Sequence, residues 1–475
     1  MPAEQSHAEI VGTLTSRWPE HRVAPGLGRI RALTELLGDP QRAYPVIHLT
    51  GTNGKGSTAA MIESLLRADG LRTGRFTSPH VMSVTERIAI DGEPISDERF
   101  DEVWREIAPY VALVDERKID GVSMTFFEII TAMAYAAFAD APVDVAVVEV
   151  GLGGAWDATN VADAEVAVVT PIDLDHTHLL GRTIGEITRE KAGIIKPGAH
   201  AILAGQSVEA AEILLARCAE VGALPQREGV DFGVIDRQLA VSGQLIRLSA
   251  ADGPVDDIFL PLYGAHQAAN AGQALAAAEA FLGLKALHPD VVREGFAQVH
   301  FPGRLELVRR SPAVVLDAAH NPHGARATAA AISEAFSFSP LIGVIAVMAD
   351  KDARGILEVF EEIMNHVVIT QVASTSRGMP AEALGELAKE VFGASRVTVV
   401  PRLDDAIDQA LTLAEVDVVG SPGVLITGSV VAIGEARTLL VREEPVVRPV
   451  VSEDLDNVWD AAYSEDGHEA DRDWR

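Results

Sequence analysis

The chain has 475 residues, 48% of them hydrophobic and 23% charged, which is too much for one ordinary core and fits two domains with ample apolar surface to bury. Its 39 basic and 69 acidic residues leave a formal charge of −30, which argues against non-specific attraction to nucleic acid or to anionic lipid. A single cysteine, Cys218, excludes an intramolecular disulfide framework and fits a reducing, cytoplasmic setting. The opening Met-Pro-Ala-Glu-Gln-Ser-His lacks the basic-then-apolar order of a signal peptide, and no run of about 18 uncharged apolar residues is present for a membrane span.

In chain order, apolar runs of strand length alternate with segments of helical period, which predicts an α/β fold with a mainly parallel sheet. Residues 44–49 read as a strand and 57–69 as a helix stopped by Gly70. Residues 71–76 read as a second strand, 123–139 as an apolar helix, and 143–150 and 165–170 as buried strands. Helices are expected over 187–195, over 210–221 with Cys218 as a buried structural thiol, and over 266–282. Val299-His-Phe-Pro-Gly-Arg304 breaks the helical period with a Pro-Gly turn and marks a boundary. Strand-like runs then return at 313–316, 341–347, 366–370, 397–400 and 423–427, giving a smaller Rossmann-like α/β domain. The division is 1–301, 302–442 and a tail, 443–475, whose last 24 residues hold nine acidic side chains; that tail is expected to be solvated and disordered.

One motif dominates. His48-Leu-Thr-Gly-Thr-Asn-Gly-Lys-Gly-Ser57 follows a strand and opens a helix, where backbone N–H groups cradle polyphosphate and Lys55 adds a positive charge. Its spacing departs from the usual phosphate loop: only Thr52 and Asn53 separate Gly51 from Gly54-Lys55, and Gly56 precedes Ser57. Glu149 ends an apolar strand, His176 follows Asp173-Leu-Asp175 past the next one, and Ser78 follows 71–76. Strand ends of this kind are where open α/β sheets hold ligands.

Gly51-Thr-Asn-Gly-Lys-Gly-Ser57 resembles the phosphate loop of the folylpolyglutamate synthase branch of the Mur ligases. The resemblance continues in order through Thr77-Ser-Pro-His80, Glu86-Arg-Ile88, Thr125-Phe-Phe-Glu128, Glu149-Val-Gly-Leu-Gly-Gly154, Asp157-Ala-Thr-Asn160, Asp175-His176 and Glu190-Lys-Ala-Gly-Ile194. It extends past the boundary through Gly264 to Asn270, Pro302-Gly-Arg304, Asp317-Ala-Ala-His-Asn-Pro322, Asp350-Lys-Asp352 and Gly428-Ser429. It implies a P-loop Mur-ligase ATPase domain followed by a glutamate ligase domain. The implied reaction is ATP-dependent: the γ-phosphoryl passes to a substrate carboxylate, and glutamate attacks the acyl phosphate. The acceptor would be dihydropteroate, a reduced folate, or both.

The resemblance also assigns roles. ATP contacts fall on Gly51, Thr52, Asn53, Gly54, Lys55, Gly56, Ser57 and Asn270, with Arg304 and Asp317 contributing from the interdomain side. Magnesium, at two sites and replaceable by manganese, falls to Ser57, Ser78, Glu149, His176 and Lys191, the lysine as its carbamate. Lys55, Lys191 and His320 are the catalytic candidates. Thr125, Trp156, Asp157, Ala158, His320 and Ser429 are expected around the acceptor and glutamate. Two stretches depart from the family: Ala155-Trp156 stands where Arg-Leu is common, and Ala24-Pro-Gly-Leu-Gly-Arg29 lacks the usual aspartate. A folate carboxylate lies one glutamate farther out than that of dihydropteroate, so two acceptors would have to seat their pterins differently. The expected partners are small molecules acting on a monomer, with neither nucleic acid nor membrane. Two other readings compete. A peptidoglycan-type Mur ligase would carry a large substrate domain before the loop, where this sequence has 50 residues. A nucleotide-binding regulator would have no use for Ser78, Glu149, His176 and Lys191 together.

Overall fold

The computed structural model describes residues 5–17, 24–416 and 420–441; the acidic tail lies outside them. Among these residues the strands form three sheets. The first contains β1 (Val46–Thr50), β2 (Thr73–Phe76), β3 (Ile88–Ile90), β4 (Glu93–Pro94), β5 (Val145–Glu149), β6 (Val166–Val169), β7 (His200–Leu203) and β8 (Leu224–Arg227). Their order is β4-β3-β2-β5-β1-β6-β7-β8, parallel except where β3 and β4 join antiparallel at the edge. β1 is fully buried and paired on both sides, with His48 opposite Val148 and Ala167. Alternate residues of β1 face different layers. Ile47 and Leu49 pack with helix Lys55–Ala68 and helix Ala265–Phe281, whereas Val46 joins the layer built on helix Phe126–Asp140.

The second sheet, β9 (Gly233–Ala240), β10 (Gly243–Ala250) and β11 (Gly253–Leu260), is an antiparallel meander absent from the sequence reading. Only one of its faces is buried: Ile246, Leu248, Ile258 and Leu260 pack inward while Ile235, Leu239 and Leu245 stay exposed. The third sheet holds β12 (Glu306–Arg310), β13 (Ala313–Leu316), β14 (Phe338–Ile345), β15 (His366–Ile369), β16 (Val397–Val399) and β17 (Ser421–Thr427), in the order β12-β13-β17-β14-β15-β16. It is parallel apart from β12, as the strand runs after the Pro-Gly turn predict. Cys218 is buried in helix Val208–Val221, and burial pushes its thiol pKa up.

Candidate active site

β1 runs directly into the phosphate loop, and helix Lys55–Ala68 begins at its end. Two glycines leave no alternative. Gly51 has φ +148° and a Cβ there would lie 1.8 Å from Thr170 Oγ; Gly54 has φ +91° and faces Asn270 Oδ1 at 2.8 Å. Lys55 Nζ folds back to donate to the Gly51 and Thr52 carbonyls at 3.2 and 3.4 Å. Ser57 is buried in the first turn, and its hydroxyl accepts from Gln267 at 3.3 Å. Gln267 in turn accepts from Asn270 at 3.1 Å.

Beside this loop lies a cavity of about 150 Å³ lined by Lys55, Ser78, Glu149, His176, Lys191 and Arg304, among others. Glu149 is buried at the end of β5; burial raises its pKa against the opposing pull of Lys55 and the Ser78 N–H, which donates to it at 3.2 Å. Lys191 is also buried and donates to the Gly51 carbonyl at 2.8 Å. Burial and the nearby Lys55 bring its pKa down to about 7, so the neutral amine is accessible near neutral pH. As an ammonium it holds no cation. His176 adopts φ +49° and its Nε2 lies 3.1 Å from Lys351 Nζ. Burial and Lys351 lower its pKa to about 4, so the imidazole is neutral.

A second cavity, about 130 Å³, opens between Asn53, Asn270, Arg304, Asp317 and His320. Asp317 accepts from the Leu305 and Ala319 N–H groups and from Thr328 Oγ, so it fixes the turn that carries Arg304. The Arg304 guanidinium lies over Phe301 at 5.4 Å.

The third cavity, at about 430 Å³ the largest of these three, is lined by Thr125, Trp156, Asp157, Ala158, His320 and Ser429, among others. Thr125 caps helix Phe126–Asp140 in a reciprocal box with Glu128. Trp156 is half-buried against the cluster around Val150 and Leu180. Asp157 is buried and its carboxylate accepts from Leu152 N–H and from the Thr159 N–H and hydroxyl, so it organises the neighbouring loop as well as lining the cavity. Ser78, Gly151, Leu152, His176 and His320 line both this cavity and the one at the phosphate loop.

Residues 49–278 match the model of the Mur ligase middle domain, and residues 303–430 that of the Mur ligase glutamate ligase domain. A curated dihydrofolate synthase/folylpolyglutamate synthase of Mycobacterium tuberculosis is 50% identical over 458 residues, covering 92% of this chain and 94% of that one. The chain belongs to the Mur ligase family, in its folylpolyglutamate synthase/dihydrofolate synthase branch. An Escherichia coli enzyme of the same description is 36% identical, over 76% of this chain and 81% of its own. Among solved structures, the M. tuberculosis folylpolyglutamate synthase complexed with ADP superposes with a TM-score of 0.89 at 49% identity, covering 92% and 99% of the two chains. An E. coli relative in complex with DHPP and ADP gives 0.80 at 31% identity, over 92% and 99%.

Several contacts of this Mur ligase site escaped sequence reasoning. Asp175 is a hub: Lys351 donates to it at 2.7 Å, Asn321 at 3.0 Å, and His320 Nε2 lies 3.9 Å away. Lys351, with His176 and His320 adding to it, holds its carboxyl well below the usual range despite burial. Asn53 pairs with Asn321 and His323, tying the phosphate loop to the half of the chain that bears the third sheet. Asp175 and Lys351 stand inside family motifs, which was a usable signal. Arg377, which lines the large cavity and donates to Asp350 at 3.2 Å, stands in no motif. Arg29, from the departing N-terminal stretch, is only 1% exposed and donates to Glu128 and to the Ala24 carbonyl.

Proposed function

We propose that the chain is an ATP-dependent ligase that adds L-glutamate to dihydropteroate and to reduced folates through an acyl phosphate. The observation that carries this reading is the junction of the cavities. An elongated acceptor in the large cavity reaches with its terminal carboxylate the place where a γ-phosphate rests on the loop. Residues 1–301 would hold the nucleotide and 302–442 would supply the glutamate side.

The loop residues Gly51, Thr52, Asn53, Gly54, Lys55, Gly56 and Ser57 wrap the phosphates, Asn270 contacts the nucleotide from beside the loop, and Arg304 and Asp317 do so from across the cleft. Lys55, released from the carbonyls it now caps, neutralises charge on the transferring phosphoryl group. The donor set suits a hard divalent cation: Glu149 is a buried carboxylate, and Ser57 and Ser78 add hydroxyls. Lys191 joins that set once its amine has taken up carbon dioxide, which its lowered pKa favours. His176 joins when Lys351 turns away from its Nε2. Two such magnesium ions, or manganese, would offset the repulsion between phosphate and carboxylate. His320 donates through Nδ1 to the Ala318 carbonyl, so its Nε2 is the bare nitrogen and accepts from the incoming glutamate amine. Amine attack expels phosphate and forms the amide. Thr125, Trp156, Asp157, Ala158 and Ser429 shape the wall against which the acceptor lies.

Incubation of purified protein with ATP, magnesium, glutamate and each acceptor in turn should give the glutamylated products by mass spectrometry. Product from one acceptor alone would reduce the assignment to a single-function ligase, and product from neither would overturn it.

A further inference from the structure

β1 lies near the centre of the first sheet, and its middle residue, His48, is fully buried between Ile47 and Leu49, where a valine would be cheaper. Burial, with help from Lys196, lowers its pKa to about 3, so the ring is neutral. Its Nε2 lies 2.8 Å from Thr159 Oγ, and that hydroxyl's only proton goes to Asp157. Nε2 must therefore carry the hydrogen and donate, which leaves Nδ1 bare and without a partner in the described structure. A half-satisfied imidazole in a sheet core calls for a reason.

The reason lies one bond further on. Asp157 accepts from Thr159 on one oxygen and from the Leu152 N–H, at 2.9 Å, on the other. The loop 151–154 that follows β5 is held on its remaining sides by Thr50, which donates to the Gly153 carbonyl at 2.7 Å, and by Glu190, which accepts from Gly154 N–H. Gly151 and Leu152 line both the phosphate-loop cavity and the large cavity, and so form part of the wall where the two meet. We propose that His48, Thr159 and Asp157 form a positioning relay that locks this wall, so that acceptor carboxylate and γ-phosphate stay in register and water stays out. The proposal rests on the ligase reading above. None of the three needs to touch the reacting atoms: His48 fixes the Thr159 hydroxyl rotor, the hydroxyl and the Thr159 N–H fix one carboxylate oxygen, and the other oxygen fixes Leu152.

A wall out of register has a signature that plain destabilisation lacks. Loss of folded protein lowers ATP consumption and product in proportion, whereas a loosened wall lets water intercept the phosphoryl group or the acyl phosphate. The experiment is the ratio of ADP released to glutamylated product in Thr159→Val, Thr159→Ser, His48→Leu and His48→Gln, with ADP affinity measured separately. Thr159→Val and His48→Leu should raise the ratio at least about threefold and lower kcat by about tenfold or more, as ångström-scale misplacement does. Thr159→Ser, which keeps the hydroxyl, and His48→Gln, which keeps an N–H donor, should return towards the wild-type ratio. ADP affinity should stay within about twofold, since the loop's own contacts are untouched. An unchanged ratio in Thr159→Val and His48→Leu overturns the relay, as does a ratio in Thr159→Ser as high as in Thr159→Val. Wild-type protein that makes no acceptor-linked product at all fails the ligase reading itself, a different result from coupled turnover in every variant.

Discussion

Two lysines of opposite temper sit within the same cavity. Lys55 stands at the start of a helix, and the role proposed for it is electrostatic: Lys55→Ala should lower turnover by ~10² or more, as loss of a transition-state contact does. Near-normal steady-state rates in that variant would remove Lys55 from the chemistry. Lys191 is buried against the Gly51 carbonyl with a pKa of about 7, and the carbamate proposed for it requires the neutral amine. Lys191→Ala should be nearly inactive and partly rescued by short carboxylic acids that fill the vacated place. Intact-mass measurement of active, metal-loaded enzyme should show the added carbon dioxide, and a free amine there would refute the carbamate.

At the scale of elements, what the sequence made legible was what burial makes periodic. β1, β5 and β6 are apolar because both faces are covered, and the phosphate loop is confined by glycines with no other permitted backbone. The β9–β11 meander was not legible: with one exposed face and hairpin turns at Ser242-Gly243 and Gly253, its polar and apolar residues mix as in a loop. Chain-distant pairs were equally hidden, since nothing local in Arg29 points to Glu128 or in His48 to Thr159. Arg29 shows what such a pair does to an element. It clamps the 24–29 segment to the capped start of helix Phe126–Asp140, with Arg29 1% and Glu128 6% exposed at the side chain. Arg29→Met strands a buried carboxylate and should cost about 3 kcal/mol or more in urea unfolding. A cost under ~1 kcal/mol would mean that water reaches Glu128.

Across the whole molecule, the two halves of the site are joined by polar side chains around Asp175, and this makes the union sensitive to acid. His176 and His320 have folded pKa values of about 4 against about 6.5 when unfolded. The unfolded chain therefore takes up protons first as pH falls from 6.5 towards 4, and stability declines through that window. The depressed Asp175 contributes above the unfolded carboxylate value and is lost as pH drops further below it. Lys351→Met should lower stability at pH 7 by ~3 kcal/mol and make the decline between pH 6.5 and 4 shallower, because His176 and His320 lose the cation that suppresses their protonation. Denaturant titrations at three pH values read both effects; a slope identical to wild type would exclude Lys351 as the cause. The central place of β1 has one more consequence. Its amides are paired on both sides, so they should be among the last in the molecule to exchange with deuterium. The Asn53–Asn321 pair is held by two reciprocal amide bonds and the Asp175–Lys351 tie by one. Opening of the molecule is therefore expected along the seam that these ties cross. Parting of the two halves is then the expected route for release of ADP and product, and turnover should fall as solvent viscosity rises.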